Sequence, residues 1–231
     1  MSKPPPDGPT RVAQTDGADS TASQQTQRRA EILDAAARVF TELGFAAASV
    51  DAISRDLGAT KGLIYHHFSS KSELFVAVNR TAMEMLRAAL LRPGLEELAP
   101  PDKLFSMAMA HALLMMEQLP YLRVAGQGFE SVLSGRTTAV ERATLAEVIT
   151  LRDSNEAIYI DVLSEGLADG SFRNIAPRQA VKPLLGALNW TSRWYTPRPG
   201  ETRADREALA RQIATFVVRG VVQIGSFWAP S

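Results

Sequence analysis

From Gln24 onward the apolar residues recur with the spacing of helices. Ile32, Leu33, Ala36, Val39, Phe40 and Leu43 keep an i, i+3, i+4 rhythm, and Gly44 supplies the stop that ends such a helix. Ser49 stands at the N-cap position of a second, short helix through Leu57 that Gly58 closes, and Thr60 caps a third that turns Leu63, Ile64 and Phe68 inward. Ser70-Lys-Ser-Glu has the capping-box spacing from Ser70 to Glu73, and Leu74, Phe75, Val78, Met85 and Leu86 carry a long helix to about Leu91. Past a hinge-like loop of Pro93, Gly94, Pro100 and Pro101, the pattern predicts helices at about 102–118, 120–134, 138–168, 176–195 and 203–228. The best strand candidate, Phe216-Val217-Val218 with Val221-Val222, follows the helix-favouring run Asp205–Arg211 without a turn signal and reads as helix. Residues 1–23 differ: four prolines and no aromatic residue leave too little apolar surface to offset the entropy of ordering, which predicts a flexible tail.

Composition narrows the chemistry. Of 231 residues, 45% are hydrophobic and 7% aromatic, as in a globular protein. The absence of cysteine excludes thiolate catalysis, disulfides, Fe–S clusters and thiolate zinc sites, and three histidines leave little for a metal, so neither metal nor cofactor is expected. No apolar run reaches the roughly 18–20 residues of a membrane span, and Met-Ser-Lys-Pro-Pro-Pro-Asp lacks the apolar core of a signal peptide, so a cytoplasmic protein without membrane contact is expected. Lys+Arg and Asp+Glu number 25 each, and over residues 24–80 the count is seven against six. Any nucleic-acid contact must therefore come from local geometry, because net charge offers none.

One stretch has such a geometry. Ser49-Val-Asp-Ala-Ile-Ser-Arg-Asp-Leu-Gly-Ala-Thr-Lys-Gly-Leu-Ile-Tyr-His-His-Phe68 has the spacing of a helix-turn-helix. Small Ser54 lets two helices cross closely, Gly58 fits the tight turn, and Ile53, Leu57 and Ile64 form the core that joins them. The second helix then projects the face from Thr60 to His67 outward, where it can lie in a major groove. Together with Ile32-Leu-Asp-Ala-Ala-Ala-Arg-Val-Phe-Thr-Glu-Leu-Gly-Phe45 and Ser70-Lys-Ser-Glu-Leu74, this block resembles the tetracycline-repressor (TetR) family of bacterial transcription regulators over roughly Arg28 to Phe75.

The resemblance implies an all-α chain: a tail over 1–23, a three-helix DNA-binding domain over 24–72, and a larger helical ligand-binding and dimerisation domain over 73–231. It implies groove and phosphate contacts by Lys61, Tyr65 and His66, with Thr60 and Ser49 at helix starts and Lys71 on the DNA backbone. Helix N-termini, Lys and Tyr all donate to phosphate oxygens, and Thr60 or Lys61 also reaches base edges. Asp51, Arg55 and Asp56 read as a solvated face. In the family, two C-terminal helices of each subunit form a four-helix bundle. Here Leu184, Leu185, Ala187, Leu188, Ile213, Val217, Gly220, Val221 and Ile224 have small or apolar character for that role, or for a core within one chain. A homodimer would set two recognition helices about 34 Å apart on a palindromic double-stranded operator.

Leu188-Asn-Trp-Thr-Ser-Arg-Trp-Tyr-Thr-Pro-Arg-Pro-Gly200 resembles a motif of one TetR subgroup, the fatty-acid-degradation regulators of the FadR/YsiA type, which respond to acyl-coenzyme A thioesters. The implied effector is an acyl-CoA thioester, with Arg193 on phosphate, Asn189 hydrogen-bonding either way, and Trp190 or Trp194 beside an adenine or acyl chain. The same aromatics also suit anchors of a dimer interface. Met107, Met109, Met115 and Met116 surround His111 in sequence, and they suit either ordinary core or an adaptable pocket with Phe105, Leu113, Leu122 and Phe129 as walls and His111 as a polar contact. A drug-like hydrophobic effector, or a helical ligand-binding or adaptor protein without DNA binding, are the alternatives. Enzyme motifs are absent: Gly126-Gln-Gly128 has Ser131 in place of the third glycine of a dinucleotide fingerprint, and no Gly-x-Ser-x-Gly or Walker loop occurs.

Overall fold

A computed structural model describes residues 16–127 and 139–223. Among the described residues the chain is all-α, with nine α-helices: α1 Asp16–Ala47, α2 Val50–Leu57, α3 Lys61–His67, α4 Lys71–Leu90, α5 Pro100–Glu117, α6 Leu119–Ala125, α7 Ala139–Ala168, α8 Pro177–Trp194 and α9 Arg203–Arg219. A 3-10 turn, Leu95–Glu97, links α4 to α5.

Local chemistry sets these boundaries. Gly44 breaks α1 with φ 72°, and Gly58 closes α2 with φ 67°, conformations a side chain would strain. The Ser49, Thr60 and Ser70 side chains accept from the backbone N–H groups of Ala52, Leu63 and Glu73, satisfying donors that a helix start leaves free. At the start of α4 the Ser70 hydroxyl accepts from the Glu73 N–H, as the capping-box spacing expects, and the Glu73 carboxylate also accepts from the N–H and hydroxyl of Ser69.

Four boundaries differ from the sequence pattern. First, α1 begins at Asp16 instead of Gln24, so residues 16–23 of the expected tail are helical. Extending a nucleated helix costs little per residue, and no proline interrupts this stretch. Second, α5 starts at Pro100, because proline needs no N–H partner in a first turn. Third, α9 stops at Arg219. Val222 then forms an antiparallel bridge with Phe172, in which Arg173 N–H donates to Val221 O (2.9 Å) and Gln223 N–H to Ser171 O (3.1 Å). Fourth, α6 ends at Ala125 within the helix expected over 120–134. Residues 1–15 of the expected tail, together with Phe129 and Ile224, lie outside the described residues.

Two apolar cores organise the packing. One holds Ile32, Phe40, Ile53, Ile64, Phe68, Leu74, Phe75 and Val78 of α1–α4 and the turn after α3, together with Met115 of α5 and Tyr121, Leu122 and Val124 of α6. The other joins α4 (Leu86, Leu90), α5, α7, α8 and α9. Helix α4 therefore enters both cores, and α6 completes the N-terminal one from the far side of the chain.

Polar bonds fix α6 in place. Thr41 Oγ1 donates to Pro120 O, Tyr121 Oη to Asp34, and Gln127 Nε2 to Phe40 O, at 2.9, 2.7 and 2.9 Å. On its other side, Arg123 donates to Ser192 O and Tyr195 O at the end of α8, each at 2.9 Å. Among the described residues no helix is long and apolar enough to cross a membrane.

Candidate functional site

The α2–α3 unit presents one polar face. Ile53 and Ile64 are fully buried, as the inward register of the two helices requires, while Thr60, Lys61, Tyr65 and His66 are exposed. Tyr65 is 52% exposed, so it is not a core residue. Lys61 pairs with Asp51 at 2.7 Å, and that bond raises its pKa from the usual lysine value. An ammonium has three protons, so this pairing aims Lys61 and leaves it donors for phosphate. The expected solvated face is thus partly structural, since Arg38 also holds Asp56 at 2.7 Å. Sequence reasoning missed Arg29, which stacks on the Phe68 ring at 4.0 Å and donates to His67 O, tying the end of α3 to α1. His66 and His67 meet edge to face, and burial is the main cause of a lowered His67 pKa.

Lys71, expected on the DNA backbone, packs against the end of α1. Its ammonium donates to Phe45 O, Ala46 O and Ala48 O at 2.8, 3.3 and 2.9 Å and lies 4.5 Å from the centroid of the Phe45 ring. All three protons are committed to the end of α1, which favours a structural role over the phosphate contact expected of it. Burial accordingly lowers its pKa.

The second site is a cavity of about 920 Å³ among α4, α5, α6, α7 and α8. Met83, Leu86, Met115, Leu122, Ile160 and Leu185 supply apolar wall, and Arg152, Arg178, Lys182 and Arg193 are exposed lining residues. Arg152 pairs with Asp153, Lys182 pairs with Glu156, and Arg193 donates to Gly126 O. His111, Asn189, Trp190 and Arg193 of the expected ligand set all line the cavity. Phe105 and Met109 do not: Phe105 is buried in the C-terminal core with Arg211 over its ring, and Met109 packs on the same core. Trp194, 48% exposed, is not a lining residue either.

Tyr159 and Asn155, polar groups in the cavity wall, were not marked by the sequence. Tyr159, fully buried on α7, contacts His111 Nδ1 through its hydroxyl at 3.0 Å, while His111 Nε2 meets Asn189 Oδ1 at 3.1 Å. Asn155 donates to Met83 O, and its buried Oδ1 has no partner among the described residues.

Burial pushes the His111 pKa down to about 4, with the Asn189 bond opposing. Protonation therefore favours the unfolded chain, whose histidine titrates near 6.5. The stability contributed by neutral His111 is complete above that value and falls as pH drops toward 4, by roughly 3 kcal/mol at most. Urea unfolding at pH 7 and pH 5 should show this loss, and His111→Gln should flatten that part of the profile.

A second groove, between α8 and α9, is lined by Ile175, Pro183, Leu184, Ala187, Phe216 and Val221 among others. Phe216 is 74% exposed and Trp190 is 64% exposed. Leu184, Leu188, Val217 and Val221 of the expected dimer stripe are already buried within one chain, so they serve its own core.

An exposed helix-turn-helix joined to a helical body with its own cavity defines the class of one-chain, ligand-binding DNA-binding regulators. Sequence comparison makes that specific. Residues 32–78 match the profile of bacterial regulatory proteins of the tetR family, and residues 97–221 match that of the tetracyclin repressor-like C-terminal domain. The chain belongs to the TetR family, whose members are DNA-binding regulators and not enzymes.

Among its relatives is the HTH-type transcriptional repressor KstR2 of Mycolicibacterium smegmatis, 29% identical over 210 residues that cover 89% of this chain and 96% of that protein. The TetR family regulator PfmR of Thermus thermophilus shares the fold with a TM-score of 0.68 and 31% identity, over 81% of this chain and 97% of its own. AibR, solved with isovaleryl coenzyme A and operator DNA, matches with a TM-score of 0.66 at 20% identity, over 84% of this chain and 98% of its own, which shows a common fold.

Proposed function

We propose that this protein is a transcriptional repressor that binds a palindromic operator as a homodimer and is released from it by an acyl-CoA thioester. The cavity carries this reading. Its apolar wall suits an acyl chain, and exposed Arg152, Arg178, Lys182 and Arg193 suit the phosphates of coenzyme A. The repressor named among the relatives and the coenzyme A ligand of AibR point the same way. Exposed Phe216 and Trp190, with the apolar α8–α9 groove, supply the dimer face. Lys61, Tyr65, His66 and Thr60 are the operator contacts, with Ser49 beside them.

An effector shifts DNA affinity only through different affinities for the two conformations. Helices α4 and α6 are the parts that would carry the difference, since both line the cavity and both pack in the core of the DNA-binding head. Titrating acyl-CoAs of several chain lengths into the protein–operator complex, with free coenzyme A and free fatty acids as controls, tests this. Release should accompany a rise in melting temperature, because a ligand at 100 times its Kd stabilises the folded state by about 2.7 kcal/mol. Release by a drug-like compound and by no thioester would overturn the effector class. Ligand binding by a protein that retains no duplex of its own upstream region would favour an adaptor.

A further inference from the structure

The hydrogen-bonded chain Tyr159–His111–Asn189 in the cavity wall has a direction. Tyr159 is fully buried, and its hydroxyl has no acceptor among the described residues other than His111 Nδ1. A buried O–H without an acceptor is costly, so Tyr159 donates and Nδ1 is the unprotonated nitrogen. A neutral imidazole carries its one proton on the other nitrogen, and His111 is neutral because burial holds it so. Nε2–H therefore donates to Asn189, which must answer with its carbonyl oxygen, Oδ1, at 3.1 Å. The reverse order, with Nδ1–H donating to Tyr159 and Asn189 donating to Nε2, would strand the tyrosine proton.

The consequence falls on the ligand. Oδ1 already accepts from His111, whereas the Asn189 NH2 donates to no described residue, so the donor is the half of the amide left open where Asn189 lines the cavity. We propose that the effector presents a hydrogen-bond acceptor, a carbonyl or carboxylate oxygen, to the Asn189 NH2, and that Tyr159 and His111 are positioning residues that fix this polarity. The inference rests on this cavity being the effector site. Two sources supply this chemistry, the carbonyl oxygen of an acyl thioester and the carboxylate of a free acid, and the binding measurements below separate them. Asn189 alone would accept either a donor or an acceptor, so the selectivity comes from Tyr159, which stands on another helix.

Two measurements on the full-length protein test it. The first needs no ligand. Imidazole nitrogen NMR of ¹⁵N-histidine-labelled protein at neutral pH, with the His111 signals assigned by their loss in His111→Gln, should show Nε2 protonated and Nδ1 bare; the opposite tautomer overturns the proposal.

The second is calorimetric binding of dodecanoyl-CoA, of S-dodecyl-CoA, which keeps the thioether sulfur and lacks the carbonyl oxygen, and of dodecanoate. The thioester should bind about tenfold more tightly than the thioether, the effect of one good hydrogen bond. Tyr159→Phe, folded by circular dichroism, should lower that ratio, because Asn189 is then free to turn its oxygen toward the ligand, and Asn189→Asp should abolish it. Equal wild-type affinities for thioester and thioether, or a Tyr159→Phe ratio unchanged from wild type, overturn the polarity and leave the acyl-CoA reading standing. Tight dodecanoate binding with neither coenzyme A compound bound supports the polarity with a carboxylate and overturns the acyl-CoA reading. Binding of none of the three overturns both.

Discussion

Replacing Lys61 and Tyr65 together by alanine is expected to abolish operator binding while helical circular dichroism and dimer mass stay unchanged. Both side chains stand on the exposed face of α3 and neither contributes to the buried core, so the fold loses little. Contacts to base edges contribute about 1–3 kcal/mol each, and a dimer loses both contacts twice, at least about 4 kcal/mol in all, so affinity should fall by about a thousandfold or more. Gel shift or fluorescence anisotropy at fixed salt measures it, and salt must be held constant because phosphate contacts weaken steeply with ionic strength. Undiminished binding would reject α3 as the recognition helix. Lys71→Ala provides a contrast: it removes three carbonyl caps, so it should lower the melting temperature, with any loss of affinity following from the loosened end of α1.

The largest loss of stability is expected from Phe40→Ala. Phe40 is fully buried and meets Phe75 edge to face with ring centroids 5.3 Å apart, and Phe45 stands against both rings. Truncating a core phenylalanine costs about 3–5 kcal/mol, from lost transfer energy and the void left behind. In a chain of this size each kcal/mol corresponds to about 2–4 °C, so calorimetry should record a drop of roughly 6–20 °C. A drop under about 3 °C would mean that the aromatic trio is not the keystone of the head.

The residues that cap the helices of the head were legible because each such bond is local. Ser49, Thr60 and Ser70 each reach a backbone N–H three residues on, and sequence spacing reports that distance directly. Lys71 was not legible, since its acceptors lie 23–26 residues earlier, and a lysine beside a helix-turn-helix looks the same whether it faces DNA or a helix end. The cavity divides along the same line. His111 stood out among the methionines of α5 and Asn189 within the cluster of Asn, Arg and aromatics that follows Leu188, but their bond spans 78 residues, and Tyr159 carried no local mark of its link to His111. Phe105 and Met109 show the limit of apolar spacing: it identifies a residue that turns away from water without saying whether it meets another side chain or lines a void.

The placement of α6 bears on how regulators of this type exchange parts. Tyr121, Leu122 and Val124 close the core of the head, so the unit that is portable between proteins is not the continuous run from α1 to α4. A chimaera cut at the Gly94 turn would bring the helix-turn-helix without its lid, uncovering the faces of α1 and α4 on which α6 packs unless the recipient supplies a matching helix. Working grafts should then be those that transplant Leu119–Ala125 as well, or that redesign its contacts with Asp34 and Thr41. The seam that keeps specificity for DNA separate from specificity for a ligand runs across α6, with Tyr121 on the side of the head and Arg123 on the side of the body.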